Sequence, residues 1–128
     1  MRLGILTQNT INGGMDTFIL NLINNYSDDE IVLFYNDSEN INRINYLNKN
    51  NNLKIVKYNF LITNNLSGIN FFFLKIVKLF LLTIGIYYNT IRLKKILKQN
   101  NLHNLIVTNG GYPGGEICIA SLLAWKKI

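Results

Sequence analysis

The sequence predicts a doubly wound α/β domain with a parallel sheet of at least four strands, in the order 3-2-1-4 and flanked by helices. Three observations carry that expectation. Short apolar runs alternate with segments of helical apolar spacing along the whole chain. Two strand-to-helix junctions, 8–16 and 109–115, are rich in glycine. The 128 residues are 48% apolar and include one Pro and no long Ser/Gly linker, which suits a single domain, 1–128.

The elements follow in order. Residues 3–7, Leu-Gly-Ile-Leu-Thr, read as a buried strand. A polar loop follows and closes on Gly13 and Gly14, after which Phe18, Ile19, Leu22, Ile23 and Tyr26 recur at helical spacing. Residues 30–35 form a continuous β-rich run behind the turn at 27–29. Ile41, Ile44 and Leu47 suggest a short helix that ends at three consecutive Asn, 50–52. The Asn clusters read as loop composition, not as a prion-like tract, because apolar periodic segments separate them. Residues 53–58 make a short, half-polar strand with Lys54 and Lys57, suited to a sheet edge. Residues 59–70 read as a loop.

The longest periodic segment, 71–99, invites a membrane-spanning reading. Lys75 and Lys78 interrupt it, and the apolar segment 79–88 that follows carries no charge but is well short of the ~20 residues a span needs. At ~100° per residue Lys75, Lys78, Gly85, Asn89 and Arg92 share one stripe, opposite a broad apolar face. That pattern suits a helix that packs its apolar face on a sheet or rests it in a membrane interface. A fourth strand is expected at 102–108, and a last helix from Glu116, slimmed by Ala120, Ser121 and Ala124.

Formal charge is +6, and no acidic residue falls between Asn40 and Gly115. Such one-signed charge draws anionic partners, although plain solvation of an Asn/Lys-rich surface explains it as well. The single cysteine, Cys118, allows no intrachain disulfide and reads as a small core residue in a reducing compartment. The only histidine, His103, sits in a turn with no partner ligand near in sequence, so neither a metal site nor a Cys–His pair is expected. Residues 3–6 are too short for a secretory signal core. No carboxylate pair, Ser-His-Asp set, Walker loop or G-x-G-x-x-G fingerprint is present.

Both glycine loops follow strands, so in a parallel sheet both open at the carboxyl edge. In the order 3-2-1-4 they face each other across the switch point. The crevice between them is expected to offer N–H groups from two helix starts, with Asn9, Asn12 and Asn109 as side-chain partners and Tyr112 as a platform. A phosphate, diphosphate or sugar would suit it. Asp16 favours the helix dipole but repels an anion brought close, which suits a cap or a sugar hydroxyl. An ordinary tight turn that binds nothing is the plainer reading of the first loop.

The pattern Gly13-Gly14-Met15-Asp16-Thr17-Phe18 resembles the first glycine loop of GT-B glycosyltransferases, above all the retaining family 4 of nucleotide-sugar enzymes. The segment Asn109-Gly110-Gly111-Tyr112-Pro113-Gly114-Gly115-Glu116 resembles the loop after the fourth strand in a subset of them. The resemblance runs through the whole chain in element order but spans only the front of such an enzyme. It implies a Rossmann-like, acceptor-side N-terminal domain, incomplete here, whose donor-gripping C-terminal domain lies outside these residues. It implies that Gly13, Gly14, Met15 and Asp16 lie near the donor diphosphate and sugar, and that Asn109, Gly110, Gly111, Tyr112, Gly114, Gly115 and Glu116 shape the acceptor side. Many members carry a His near the end of the fourth strand. Here Asn109 and Gly110 stand there, so no catalytic residue is assigned.

The leading expectation is therefore the acceptor-binding front end of a glycosyltransferase, inactive alone, acting on a nucleotide-sugar and a glycan or lipid-linked acceptor. No cofactor, metal or nucleic acid is expected. The location expected is cytoplasmic, peripheral at the inner membrane face. The alternative is a non-catalytic α/β module that meets an anionic membrane or a partner through helix 71–99, with Lys75, Lys78, Arg92, Lys94 and Lys95 facing the anion. An open sheet edge and an uncovered apolar helix face lead to an expectation of self-association.

Overall fold

A computed structural model describes residues 1–8, 14–26, 28–35, 38–59, 72–109, 115–126 and 128; within it the side chains of 38–40, 72–75, 78 and 109 are not described. The elements are β1 (Arg2–Gln8), α1 (Gly14–Asn25), β2 (Glu30–Tyr35), α2 (Ser38–Leu47), β3 (Leu53–Lys57), α3 (Phe72–Gln99), β4 (Asn104–Asn109) and α4 (Glu116–Trp125). The four strands form one parallel sheet in the order β3-β2-β1-β4, the Rossmann-like arrangement expected.

Strand alternation sorts the core into two layers. Leu3, Ile5, Ile31, Leu33 and Tyr35 pack under α1 and α2, against Ile19, Ile23 and Ile44. Leu6, Val32 and Phe34 pack on the other face, against Leu93 and Leu97 of α3 and Ile117, Ala120 and Ala124 of α4. Each large side chain of this kind contributes about 1.5–3 kcal/mol on burial. β1 lies between two partners and is closed to solvent from Leu3 to Gln8. Gly4 belongs there because a Cβ would stand 2.5 Å from Leu102 Cδ1 and 3.0 Å from Leu105 Cδ1.

The sequence reading needs correction at α3. The expected polar stripe is split where it can be followed: Gly85 and Asn89 are buried, with Thr90, Leu93 and Leu97 beside them, while Arg92 is exposed. The broad apolar face points out, leaving Ile76, Leu79, Phe80, Ile84, Tyr87, Tyr88 and Ile91 exposed. A helix apolar around most of its circumference does not define one inward face. The small Gly85 and short Asn89 and Thr90 allow close approach, and Thr90 satisfies its own hydroxyl by donating to the Ile86 carbonyl at 2.7 Å. On α1, likewise, Ile19 and Ile23 are buried while Phe18 and Tyr26 are exposed.

The Asn-rich turns hold more structure than their composition suggested. Asn50 is buried between α2 and β3, and its Nδ2 donates to the carbonyls of Tyr26 at 2.9 Å and Asp29 at 3.2 Å. Its Oδ1 accepts the Asn52 N–H at 2.7 Å. At the end of α3, Asn101 takes the left-handed conformation, φ 46°, that stops a helix and that Asn tolerates better than most residues. The expected loop at 59–70 lies outside the described residues, except for Asn59.

Asn50→Ala is expected to lower unfolding free energy by about 1–2 kcal/mol in a urea titration, because it removes the hydrogen bonds of a buried side chain to the Tyr26 and Asp29 carbonyls and the Asn52 N–H. Asn51→Ala, at the exposed neighbour, is expected to stay within about 0.5 kcal/mol.

Candidate functional site

The expected crevice begins with a register. Gln8, the last residue of β1, and Asn109, the last of β4, are Cα partners in the parallel ladder. From these adjacent strand ends the chain leaves toward opposite faces of the sheet, to α1 on one and α4 on the other. The strand order reverses here, which is where open α/β sheets bind ligands.

On the α1 side, Gly14 opens the helix, and a Cβ placed on it would meet nothing within 4 Å. Met15 is half-buried and packs with the Ile19–Ile23 layer. Asp16 is buried, and its Oδ1 accepts a hydrogen bond of 2.8 Å from the hydroxyl of Tyr35, the last residue of β2. It thus complements the positive end of α1 while tied to the end of the neighbouring strand. Thr7 lies on the same face by alternation, one residue before β1 ends. It is fully buried, and its Oγ1 has no hydrogen-bond partner among the described residues. A buried hydroxyl without a partner costs about 1–3 kcal/mol.

The α4 side is closed by side chains. Gln8 Oε1 accepts the Ile117 N–H at 3.0 Å, so one of the N–H groups expected to be free at this helix start is already capped. Gly115 holds φ 115°, a conformation that L side chains rarely adopt. Glu116 is buried in the first turn. Cys118 Sγ donates to the Thr108 carbonyl at 3.3 Å, and Thr108 Oγ1 donates to the Leu6 carbonyl at 3.3 Å. Tyr58, just past β3, reaches across the sheet and donates its hydroxyl to the Thr7 carbonyl. Its N–H donates to the Tyr35 carbonyl at 3.1 Å. Burial pushes the Tyr58 phenol far above its usual range, with the nearby Cys118 and Tyr35 adding to the effect. Burial also pushes the Cys118 thiol up, which suits the core role expected of it and not a nucleophile.

His103 stands at the opposite, amino edge. Its Nδ1 accepts the Arg2 N–H at 3.2 Å, and its own N–H donates to the Arg2 carbonyl at 2.9 Å. The sheet separates it from Cys118. An open hollow of about 610 Å³ also lies at that edge, lined in part by Arg2, Asp28, Glu30 and His103. Its charges are occupied with structure: Arg2 pairs with Glu30, and the Met1 ammonium with Asp29 at 2.8 Å. Among the described residues no group of His, Cys, Asp and Glu could hold a metal ion.

Of the residues singled out from the sequence, Gly14, Met15, Asp16, Gly115 and Glu116 stand at the starts of α1 and α4, the helices that follow the adjacent strands β1 and β4. Asn109 is placed by its backbone. Gly13, Gly110, Gly111, Tyr112 and Gly114, with Asn9 and Asn12, lie outside the described residues. On α3, Arg92 and Lys95 are exposed and Lys94 is half-buried. The Arg92 guanidinium lies 5.6 Å from the Tyr88 ring centroid and donates to the Asn59 carbonyl at 3.3 Å. The side chains of Lys75 and Lys78 are not described. Among the described residues no helix is long and apolar enough to cross a membrane. Sequence reasoning missed Thr7, Gln8, Tyr35 and Tyr58. Their one signal was position: each is a polar-tipped residue that ends or follows an apolar strand.

Compared with protein-family models, with curated proteins and with solved structures, the chain matches none.

Tyr58 gives the fold an alkaline limit. A phenol whose pKa is raised on folding keeps its proton in the folded state and loses it in the unfolded one. The stabilisation is full below about pH 10 and declines above it by about 1.4 kcal/mol per pH unit. Urea titrations from pH 8 to 11 are expected to show this decline, and Tyr58→Phe to flatten it above pH 10 while lowering stability at pH 8.

Proposed function

We propose that this domain is the acceptor-side part of a glycosyltransferase. It would act with a donor-gripping domain that moves a sugar from a nucleotide-sugar onto a glycan or lipid-linked acceptor. The observation that carries the reading is Thr7. A buried hydroxyl without a partner among the described residues sits one residue before the end of β1, on the side where α1 begins and where Gly14 leaves open space. Gly14, Met15 and Asp16, from the segment that resembles the first glycine loop of GT-B enzymes, begin α1 here.

In this reading the start of α1 takes the donor diphosphate and sugar. Backbone N–H groups and the helix dipole supply the attraction, and Gly14 keeps the approach free of side chain. Tyr35 holds Asp16 toward the end of β2, which limits its repulsion of the anion. The Gln8 cap fixes the start of α4, so the loop 110–114 shapes the acceptor side from a rigid base. Catalytic groups and the remaining donor contacts belong to the second domain. The protein would work at the inner face of a membrane.

A second reading, a module that rests on an anionic membrane surface without catalysis, draws on α3. Its outward apolar residues lie on the same helix as the exposed cations Arg92, Lys95 and Lys98.

Titration calorimetry with UDP-glucose and GDP-mannose as probes separates the readings. Saturable binding of either, weakened at least tenfold by Gly14→Val with the circular dichroism melt unchanged, is the outcome expected for the glycosyltransferase domain. No binding of either probe, with salt-sensitive co-sedimentation on phosphatidylglycerol vesicles that Gly14→Val leaves intact, would favour the membrane module.

A further inference from the structure

Helix α3 is much longer than the sheet it packs on. Its 28 residues span ~42 Å, against ~17–23 Å for strands of 5 to 7 residues. Two contacts set its level. Lys54 Nζ, near the start of β3, donates to Asn100 Oδ1 at 3.0 Å, and Arg92 donates to the carbonyl of Asn59, just past the end of β3. Helix α3 therefore runs antiparallel to β3, with residue 92 level with the carboxyl edge, where β1 and β4 also end. From there back to Phe72 the helix extends a further ~30 Å, past that edge. The projecting half is apolar on its outward side, where Ile76, Leu79, Phe80, Leu81 and Ile84 are exposed. Leu79 and Leu81 stand ~200° apart around the axis, and the other three fall in the arc between them. By spacing, Lys75 and Lys78 fall on the stripe of Gly85 and Asn89, outside this arc. Toward the C-terminus come Tyr87 and Tyr88, then the exposed cations Arg92, Lys95 and Lys98. A sheet that continued past β4 would carry its further helices on the far side of α4. Helix α3, over the β3 edge, is not covered by such an extension.

We propose that α3 meets an anionic bilayer at a tilt, with its projecting half in the interface and its cations at the lipid phosphates, so that the carboxyl edge of the sheet faces the lipid. The order along the helix selects this occupant. Apolar residues, then tyrosines, then cations follow a bilayer outward from hydrocarbon through interface to anionic headgroup. An apolar arc of ~200° is wider than the seam one partner helix covers, whereas lipid conforms to all of it. A second copy fits less well. No acidic residue falls between Asn40 and Gly115, so α3 offers nothing to pair with the cations of another α3. The inference rests on the reading in which α3 meets lipid and adds the orientation to it. It holds with or without catalysis. Where sugar transfer also holds, a lipid-linked acceptor meets the carboxyl edge without leaving the bilayer.

Vesicles of phosphatidylglycerol and phosphatidylcholine test it on the chain Met1–Ile128. Co-sedimentation is expected, and the triple variant Arg92→Gln, Lys95→Gln, Lys98→Gln is expected to weaken it at least tenfold at low salt. Orientation is read by quenching with brominated lipid. Phe80→Trp, Ile91→Trp and Tyr46→Trp each replace an exposed side chain, and each is measured as an increment over the Trp125 signal. Quenching is expected to be strongest at position 80, weaker at 91 and absent at 46, which lies near the end of α2 that leads to the amino edge. A chain that does not co-sediment overturns both the inference and the membrane reading. Co-sedimentation with equal quenching at 80 and 91, or with the strongest quenching at 46, overturns the inference and leaves that reading standing. So does binding that the Gln variant leaves unchanged.

Discussion

The structure depends on the pairing of β1 with parallel partners on both sides. β1 is the first strand in sequence and lies inside the sheet, so every later unit is built against it or against a strand that pairs with it. β2 joins one flank with Leu3 opposite Ile31, and β4 joins the other with Leu3 opposite Asn104. The chain passes from β3 at one edge to β4 at the other, and α3 on that path packs Leu93 and Leu97 on the sheet. From the neighbouring ends of β1 and β4 the chain goes on to α1 on one face and α4 on the other. The proposed crevice thus follows from strand order, not from either loop alone.

That geometry creates a problem that polar side chains solve. The carboxyl ends of buried strands carry carbonyl groups that are shielded from water and still need partners. Tyr58 and Thr108 donate to the carbonyls of Thr7 and Leu6, and Cys118 to that of Thr108. Gln8 caps α4, and Tyr35 holds Asp16. Against this lattice of mutual satisfaction the Thr7 hydroxyl stands out, buried and without a partner among the described residues. The neighbouring groups are committed to structure, and the proposed function therefore assigns the ligand to the start of α1, beside this hydroxyl.

The strands were legible because a buried parallel strand announces itself as an uninterrupted apolar run. Glu30–Tyr35 was read to the residue, and the order 3-2-1-4 followed from alternation with helices. The faces of α3 were not legible, for a physical reason. Its residues are apolar around most of the circumference, so pattern alone does not say which side packs. Steric fit decided in favour of Gly85, Asn89 and Thr90. The candidate site was half legible. Gly14, Asp16 and Glu116 stand where the glycine loops placed them. Thr7, Gln8, Tyr35 and Tyr58 were hidden because their roles come from contacts across the sheet, between residues as far apart as Gln8 and Ile117. Asn50 was hidden among other Asn residues for the same reason.

The central claim is that the strand ends of β1 and β4 form a nucleotide-sugar crevice in which Thr7 contributes a buried donor or acceptor. A crystal structure of the chain grown with UDP-glucose tests it most directly. The claim predicts the diphosphate or sugar at the start of α1, with one of its oxygens within hydrogen-bond distance of Thr7 Oγ1. A nucleotide seated elsewhere, or a Thr7 hydroxyl bonded to a group of the protein itself, would contradict it.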